Sequence, residues 1–127
     1  MTQDDLEAFA RRFFTAVDAQ NADGLRPFLA DNVRLQMANL QPTVGADDLV
    51  KAFRATEEQF SSITHAIQGC WLGRWEKGLV VSVEAIAHYT KVGGAKFALP
   101  VTSTLRLSAD GKVADYRIFM DPGPAFA

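Results

Sequence analysis

The chain has 127 residues, 48% of them hydrophobic, and a formal net charge of −2 with both signs scattered along it. That is the length of one domain with apolar area enough for a sizeable core, and it lacks the basic face that nucleic acid or a polybasic membrane contact requires. A single cysteine, Cys70, excludes an internal disulfide and a cysteine-cluster metal site, and no uninterrupted apolar run approaches membrane-spanning length. The opening Met1-Thr2-Gln3-Asp4-Asp5 is acidic and carries no apolar signal run, so a cytoplasmic protein is expected.

The first predicted element is a helix from about Gln3 to Gln20. Thr2 and Asp5 stand at capping-box spacing, and Leu6, Phe9, Ala10, Phe13, Phe14 and Val17 recur at helical period. Asn21 is placed to cap a short second helix, Ala22 to Leu29, which tolerates Pro27 near its start. Val33 to Met37 alternates, as a short strand with one apolar face does. Asn39 to Gly45 reads as a loop. A third helix then starts near Ala46 and carries Leu49, Val50, Phe53 and Phe60 on one stripe.

From Ser62 onward the pattern is that of strands. Ile63 to Trp75 is one, bent near Gly69 or Gly73, and Glu76-Lys77-Gly78 turns it into Leu79 to Thr90, a long apolar strand suited to the middle of a sheet. Val92-Gly93-Gly94 turns the chain again. Phe97, Leu99, Val101, Leu105 and Leu107 form the apolar side of the next strand. Ser108-Ala109-Asp110-Gly111 is a hairpin turn, and Lys112 to Asp121 is the final strand, ended by Pro122-Gly123-Pro124. Helices followed by an antiparallel meander make one α+β domain over 1–127: a cone-shaped curved sheet wrapped around N-terminal helices, with an open end suited to a small molecule.

In that order the chain resembles the nuclear transport factor 2-like superfamily, and within it the SnoaL-like proteins. The resemblance is carried by the run Phe9 to Asp18 leading to Asn21-Ala22-Asp23, by Leu29-Ala30-Asp31-Asn32-Val33, by Val44-Gly45 before the third helix, and by Asp110-Gly111-Lys112-Val113 leading to Tyr116 through Asp121. It implies the cystatin-like α+β barrel of the ketosteroid isomerase type and a homodimer through the convex sheet. It does not by itself imply an activity, because this fold hosts enzymes, binding proteins and assembly modules.

The family chemistries differ in what this chain retains. Ketosteroid isomerases use a carboxylate base and an oxyanion hole of a tyrosine and a protonated aspartate. Those positions match Met37, Phe13 and Ser103, which cannot perform the same steps. The Asp–Arg–Asp relay of limonene epoxide hydrolases, with its helper Tyr and Asn, falls on Ala85, Ala87, Ile118, Leu35 and Met37, so that relay is absent too. SnoaL-type cyclases use a pocket aspartate and often a histidine, whose nearest counterparts are Asp121 and His88.

Asp121, His88 and Tyr116 are therefore the candidate catalytic groups: a carboxylate at a pocket rim, an imidazole that titrates near neutrality, and a hydroxyl that could orient a ligand. Simple alternation along the long strand aims His88 at the convex side, whereas the isomerase-like register aims it inward and a bulge would decide between them; parity in the last strand turns Asp121 away from the face of Tyr116, Ile118 and Met120 unless a twist at the strand end brings it in. His65, between apolar neighbours, reads as a hydrogen-bonded structural histidine. Trp71 and Trp75 read as covers for the pocket or the sheet. The expected ligand wall is Phe13, Val17, Leu35, Met37, Phe53, Val101, Ser103, Ile118 and Met120 together with Tyr116. Such a wall suits a hydrophobic, cyclic or aromatic ligand of modest size. The chemistry expected of it is isomerisation, cyclisation, dehydration or hydration with no cofactor and no metal ion; the alternative is a non-catalytic ligand-binding or dimerisation module.

Overall fold

The structure, a computed structural model, describes residues 1–76 and 78–126. Helix α1 (Gln3–Asp18) opens on the capping box: the Thr2 hydroxyl accepts the Asp5 N–H at 3.1 Å, and the Asp5 carboxylate accepts the Thr2 N–H at 3.0 Å. It ends two residues before Gln20, because Gln20 takes φ 52, a left-handed conformation that does not continue a helix. The Asn21 side chain accepts the Gly24 N–H and starts α2 (Ala22–Leu25). Pro27 has no N–H to give an α-helical bond, so the chain tightens there into a 3-10 turn over Arg26–Phe28 instead of running helical to Leu29.

Leu29 already belongs to β1 (Leu29–Met37), which is longer than its alternating half. Two residues of the expected loop form β2 (Thr43–Val44), paired to Arg34 and Leu35. Gly45, at φ 97, swings the chain into α3 (Ala46–Glu57), which buries Ala46, Leu49 and Val50. Phe60, expected on the α3 stripe, instead opens β3 (Phe60–Trp75) and is buried there against Tyr89 and Phe97. β3 pairs with β4 (Gly78–Lys91), and the register slips between Ile67 and Gly69, which leaves Gln68 as the extra residue of a bulge. Of the turn Glu76-Lys77-Gly78, Lys77 lies outside the described residues. β5 (Lys96–Leu107) and β6 (Val113–Phe119) follow, and a short α4 (Gly123–Phe126) comes after the Pro122 break.

The strand order is β2-β1-β6-β5-β4-β3. β6 is therefore an interior strand between β5 and β1, and its pairing with β1 is parallel, with Leu35 beside Tyr116 and Met37 beside Ile118. The sheet is open, curved and mixed: four of its five junctions are antiparallel. Its inner face is buried against the helices. Val81, Val83, Ala85, Ala87 and Tyr89 of β4 and Leu99, Val101, Ser103, Leu105 and Leu107 of β5 all lie on it. Phe9, Phe13, Phe14 and Val17 of α1 face that layer. Burying a Phe or Leu side chain contributes about 1.5–3 kcal/mol, so this contact carries most of what holds helix to sheet. Among the described residues no helix is long and apolar enough to cross a membrane.

Candidate functional site

The core is not filled at one end. A cavity of about 140 Å³ opens there between α3 and the inner face of the sheet. β1 supplies Leu35 and Met37, and β6 supplies Tyr116 and Ile118, with Met120 just past its end. Val101 and Ser103 come from β5, Tyr89 from β4, Ile63 and His65 from β3, Val17 from α1, and Ala52, Phe53 and Thr56 from α3. Strand parity explains the set: Ile63 and His65, Val101 and Ser103, and Tyr116 and Ile118 are each two residues apart and so share a face.

One wall residue, His65, is paired with a carboxylate that does not itself line the cavity. Asp18, in the last turn of α1, accepts the backbone N–H of His65 at 2.8 Å through one oxygen, and its other oxygen lies 2.6 Å from His65 Nδ1. The His65 side chain is 8% exposed and its ring packs on Phe14, 4.9 Å between centroids. In the neutral imidazole, a carboxylate at Nδ1 favours the proton on that nitrogen, and the Nε2 lone pair is then free. Nε2 has no hydrogen-bond partner among the described residues, while His65 itself is part of the cavity wall.

The remaining polar groups are hydroxyls. Tyr116 is buried, edge-on to Phe13 at 5.3 Å and stacked on Phe53 at 6.4 Å. Burial raises its ionisation well above the ordinary tyrosine range, the neighbouring Tyr89 and Asp18 add to this, and the Ser103 hydroxyl partly offsets it. Burial, then the Asp18 charge, raises Tyr89 as well. Both phenols are thus kept as neutral O–H donors. Among the described residues no group of three or more His, Cys, Asp or Glu is arranged to hold a metal ion.

Val17, Leu35, Met37, Phe53, Val101, Ser103, Ile118 and Met120 stand on this wall with Tyr116. Phe13 does not; it is fully buried behind Tyr116. His88 is exposed on the outer face, between Thr64 and Ala98 of the neighbouring strands. Asp121 is exposed too, and its carboxylate accepts the Gly123 N–H at 3.0 Å, holding the turn at Pro122. The structure therefore brings neither group to the cavity, nor to the other. Trp71 and Trp75 are exposed on β3, away from the cavity wall.

Sequence reasoning missed Ala52, Thr56, Ile63 and Tyr89 on the wall, and above all the Asp18–His65 pair. A signal for it existed. Asp18 follows Phe14 by four residues, on the buried stripe, at a helix C-terminus where a carboxylate is disfavoured. His65 shares the inward parity of Ile63 and Ile67.

The architecture is thus a curved α+β sheet closed by helices, with an apolar cavity carrying a few polar groups at one end. A SnoaL-like domain model matches residues 10–116, and the chain belongs to that family. No curated protein matches the sequence. Among solved structures, an NTF2-like protein of unknown function from Exiguobacterium sp. 255-15 is 23% identical, with 88% of this chain and 97% of that one covered and a TM-score of 0.74. A protein from Jannaschia sp. CCS1, provisionally described as a SnoaL-like polyketide cyclase, is 19% identical over 91% and 85% of the two chains, with a TM-score of 0.78. A protein with a ketosteroid isomerase-like fold from Catenulispora acidiphila DSM 44928, solved in complex with trimethylamine, is 16% identical over 86% and 82%, with a TM-score of 0.74. At these identities the likeness is one of fold.

Proposed function

We propose that the cavity binds a small hydrophobic cyclic ligand and that His65 Nε2 exchanges a proton with it. One observation carries this reading: Asp18 holds His65 through its backbone N–H and Nδ1, and Nε2 has no hydrogen-bond partner among the described residues although His65 lines an apolar cavity. In the step envisaged, Nε2 takes a proton from a carbon beside a ring carbonyl, and Asp18 stabilises the imidazolium that forms. Returning that proton to a different ring atom gives isomerisation. Giving it to a departing hydroxyl gives dehydration. The neutral hydroxyl of Tyr116 or Tyr89 is the donor available to the carbonyl oxygen.

The test is hydrogen–deuterium exchange at the carbons beside the carbonyl of cyclohexanone, a single-ring ketone, followed by proton NMR in D2O. Wild type should exceed the buffer rate by about 100-fold, the low end for a positioned acid–base group, and His65→Gln should fall back to it. Equal rates for wild type, His65→Gln and buffer would sink the catalytic reading.

A second reading, binding without catalysis, is favoured by Met37, Phe13 and Ser103, which match the family positions of base and oxyanion donors and cannot do their work. It is left standing if ring ligands bind and the exchange assay is flat.

The outer face of the sheet is the surface proposed for a second copy of the chain. Trp71 and Phe119 are exposed on β3 and β6, and Ile86 is half-buried on β4 between them. Light scattering should give a dimer mass for wild type and a monomer mass for Ile86→Arg; a monomeric wild type contradicts it.

A further inference from the structure

The size of the cavity restricts what can enter it. At about 140 Å³ it matches the roughly 150 Å³ apolar cavity that holds one benzene ring, and it falls short of the ~300 Å³ at which sites for larger ligands begin. A volume of that size is matched by one six-membered ring rather than by fused rings. Beside it, however, lies an open recess of about 190 Å³. Leu35, Met37 and Thr56 belong to the walls of both. The recess adds Leu40, Gln41 and Thr43, from the loop after β1 and from β2.

The recess differs from the cavity in chemistry. The side chains of Gln41 and Thr43 make no hydrogen bond among the described residues, whereas Gln36 and Thr56 are engaged with the Leu40 and Ala52 carbonyls. The loop carrying Gln41 is also fixed. Ala38 is held at φ 49, its N–H donates to the Ile118 carbonyl at 2.7 Å, and the Leu40 N–H donates to the Met37 carbonyl at 3.0 Å. A non-glycine residue persists in that conformation where its surroundings over-determine it, often beside a ligand site.

We propose that cavity and recess are two parts of one site, and that its ligand is a single six-membered ring bearing a short polar arm. The ring lies against His65, the arm passes Met37, and its end meets the Gln41 amide and the Thr43 hydroxyl. Met37 sets the size of ring admitted. This rests on the reading of the cavity as a ligand site.

The test is a backbone amide NMR titration with three probes: phenol, 3-phenyl-1-propanol and 2-naphthol. Phenol should move His65 and Ser103 but not Gln41 and Thr43, and 3-phenyl-1-propanol should move both groups. A Gln41→Ala/Thr43→Val double variant, changed at the recess alone, should bind 3-phenyl-1-propanol about fivefold more weakly, the worth of one hydrogen bond, and phenol as before. 2-Naphthol should bind Met37→Ala and not wild type. The proposal is overturned if phenol and 3-phenyl-1-propanol move the same amides, if the double variant binds both like wild type, or if 2-naphthol binds wild type as well as Met37→Ala. Phenol that moves no amide removes the cavity as a ligand site, a failure distinct from failure of the arm.

Discussion

Asp18 and His65, on α1 and β3, are joined twice by one carboxylate, which spans the backbone nitrogen at 2.8 Å and Nδ1 at 2.6 Å. The first bond fixes where the strand sits on the helix, and the second fixes which ring nitrogen keeps its proton. Asp18→Asn separates the two. The new carbonyl oxygen can still accept the backbone N–H, but the amide NH2 then faces Nδ1, which must accept. His65 should switch to the Nε2–H tautomer, visible in its imidazole 15N shifts. Losing a charge-assisted bond should cost about 2 kcal/mol by urea unfolding. An unchanged tautomer would contradict the proton placement.

Tyr116 should govern part of the alkaline limb of stability. Burial, with Tyr89 next, raises its ionisation in the folded state above the ordinary value of 10.0. The unfolded chain therefore loses that proton first. The contribution is complete below about pH 10 and is lost as the pH rises further, by up to about 1.4 kcal/mol per pH unit. Tyr116→Phe should be less stable than wild type at pH 7 but flatter above pH 10. Parallel slopes for the two proteins above pH 10 would refute this.

Gln20 occupies the position after the α1 cap at φ 52, where glycine is usual. Its side-chain oxygen is also buried with no hydrogen-bond partner among the described residues. Gln20→Gly removes both penalties and should raise stability by about 1 kcal/mol in urea unfolding. Destabilisation would mean that the apolar part of the Gln20 side chain contributes more than its backbone costs.

The fold was legible where local chemistry and period agreed. Thr2 and Asp5 made the box, Asn21 the cap, and the Leu6 to Val17 stripe the buried face. Legibility failed where the deciding contact was distant in sequence. β1 meets β6 in parallel across some eighty residues, as Leu35 beside Tyr116, and no local pattern announces that. Phe60 continued the spacing of the α3 stripe, yet the helix stops at Glu57, and Tyr89 and Phe97 hold Phe60 in the sheet. The same reason explains the site. Single-face alternation found the apolar wall from Leu35 to Met120, but it left His88 open between an outward parity and an inward register. The polar pair needed α1 and β3 to be docked before Asp18 and His65 could be seen as neighbours.

The most direct measurement of the central claim is the imidazole 15N spectrum of His65 while phenol is titrated into wild type. Phenol can donate its hydroxyl to a free lone pair. The Nε2 resonance should move toward the hydrogen-bonded range and saturate, with Nδ1 still protonated. An Nε2 that carries the proton before phenol is added, or that does not respond once phenol saturates the cavity, would contradict His65 as the proton-exchanging group.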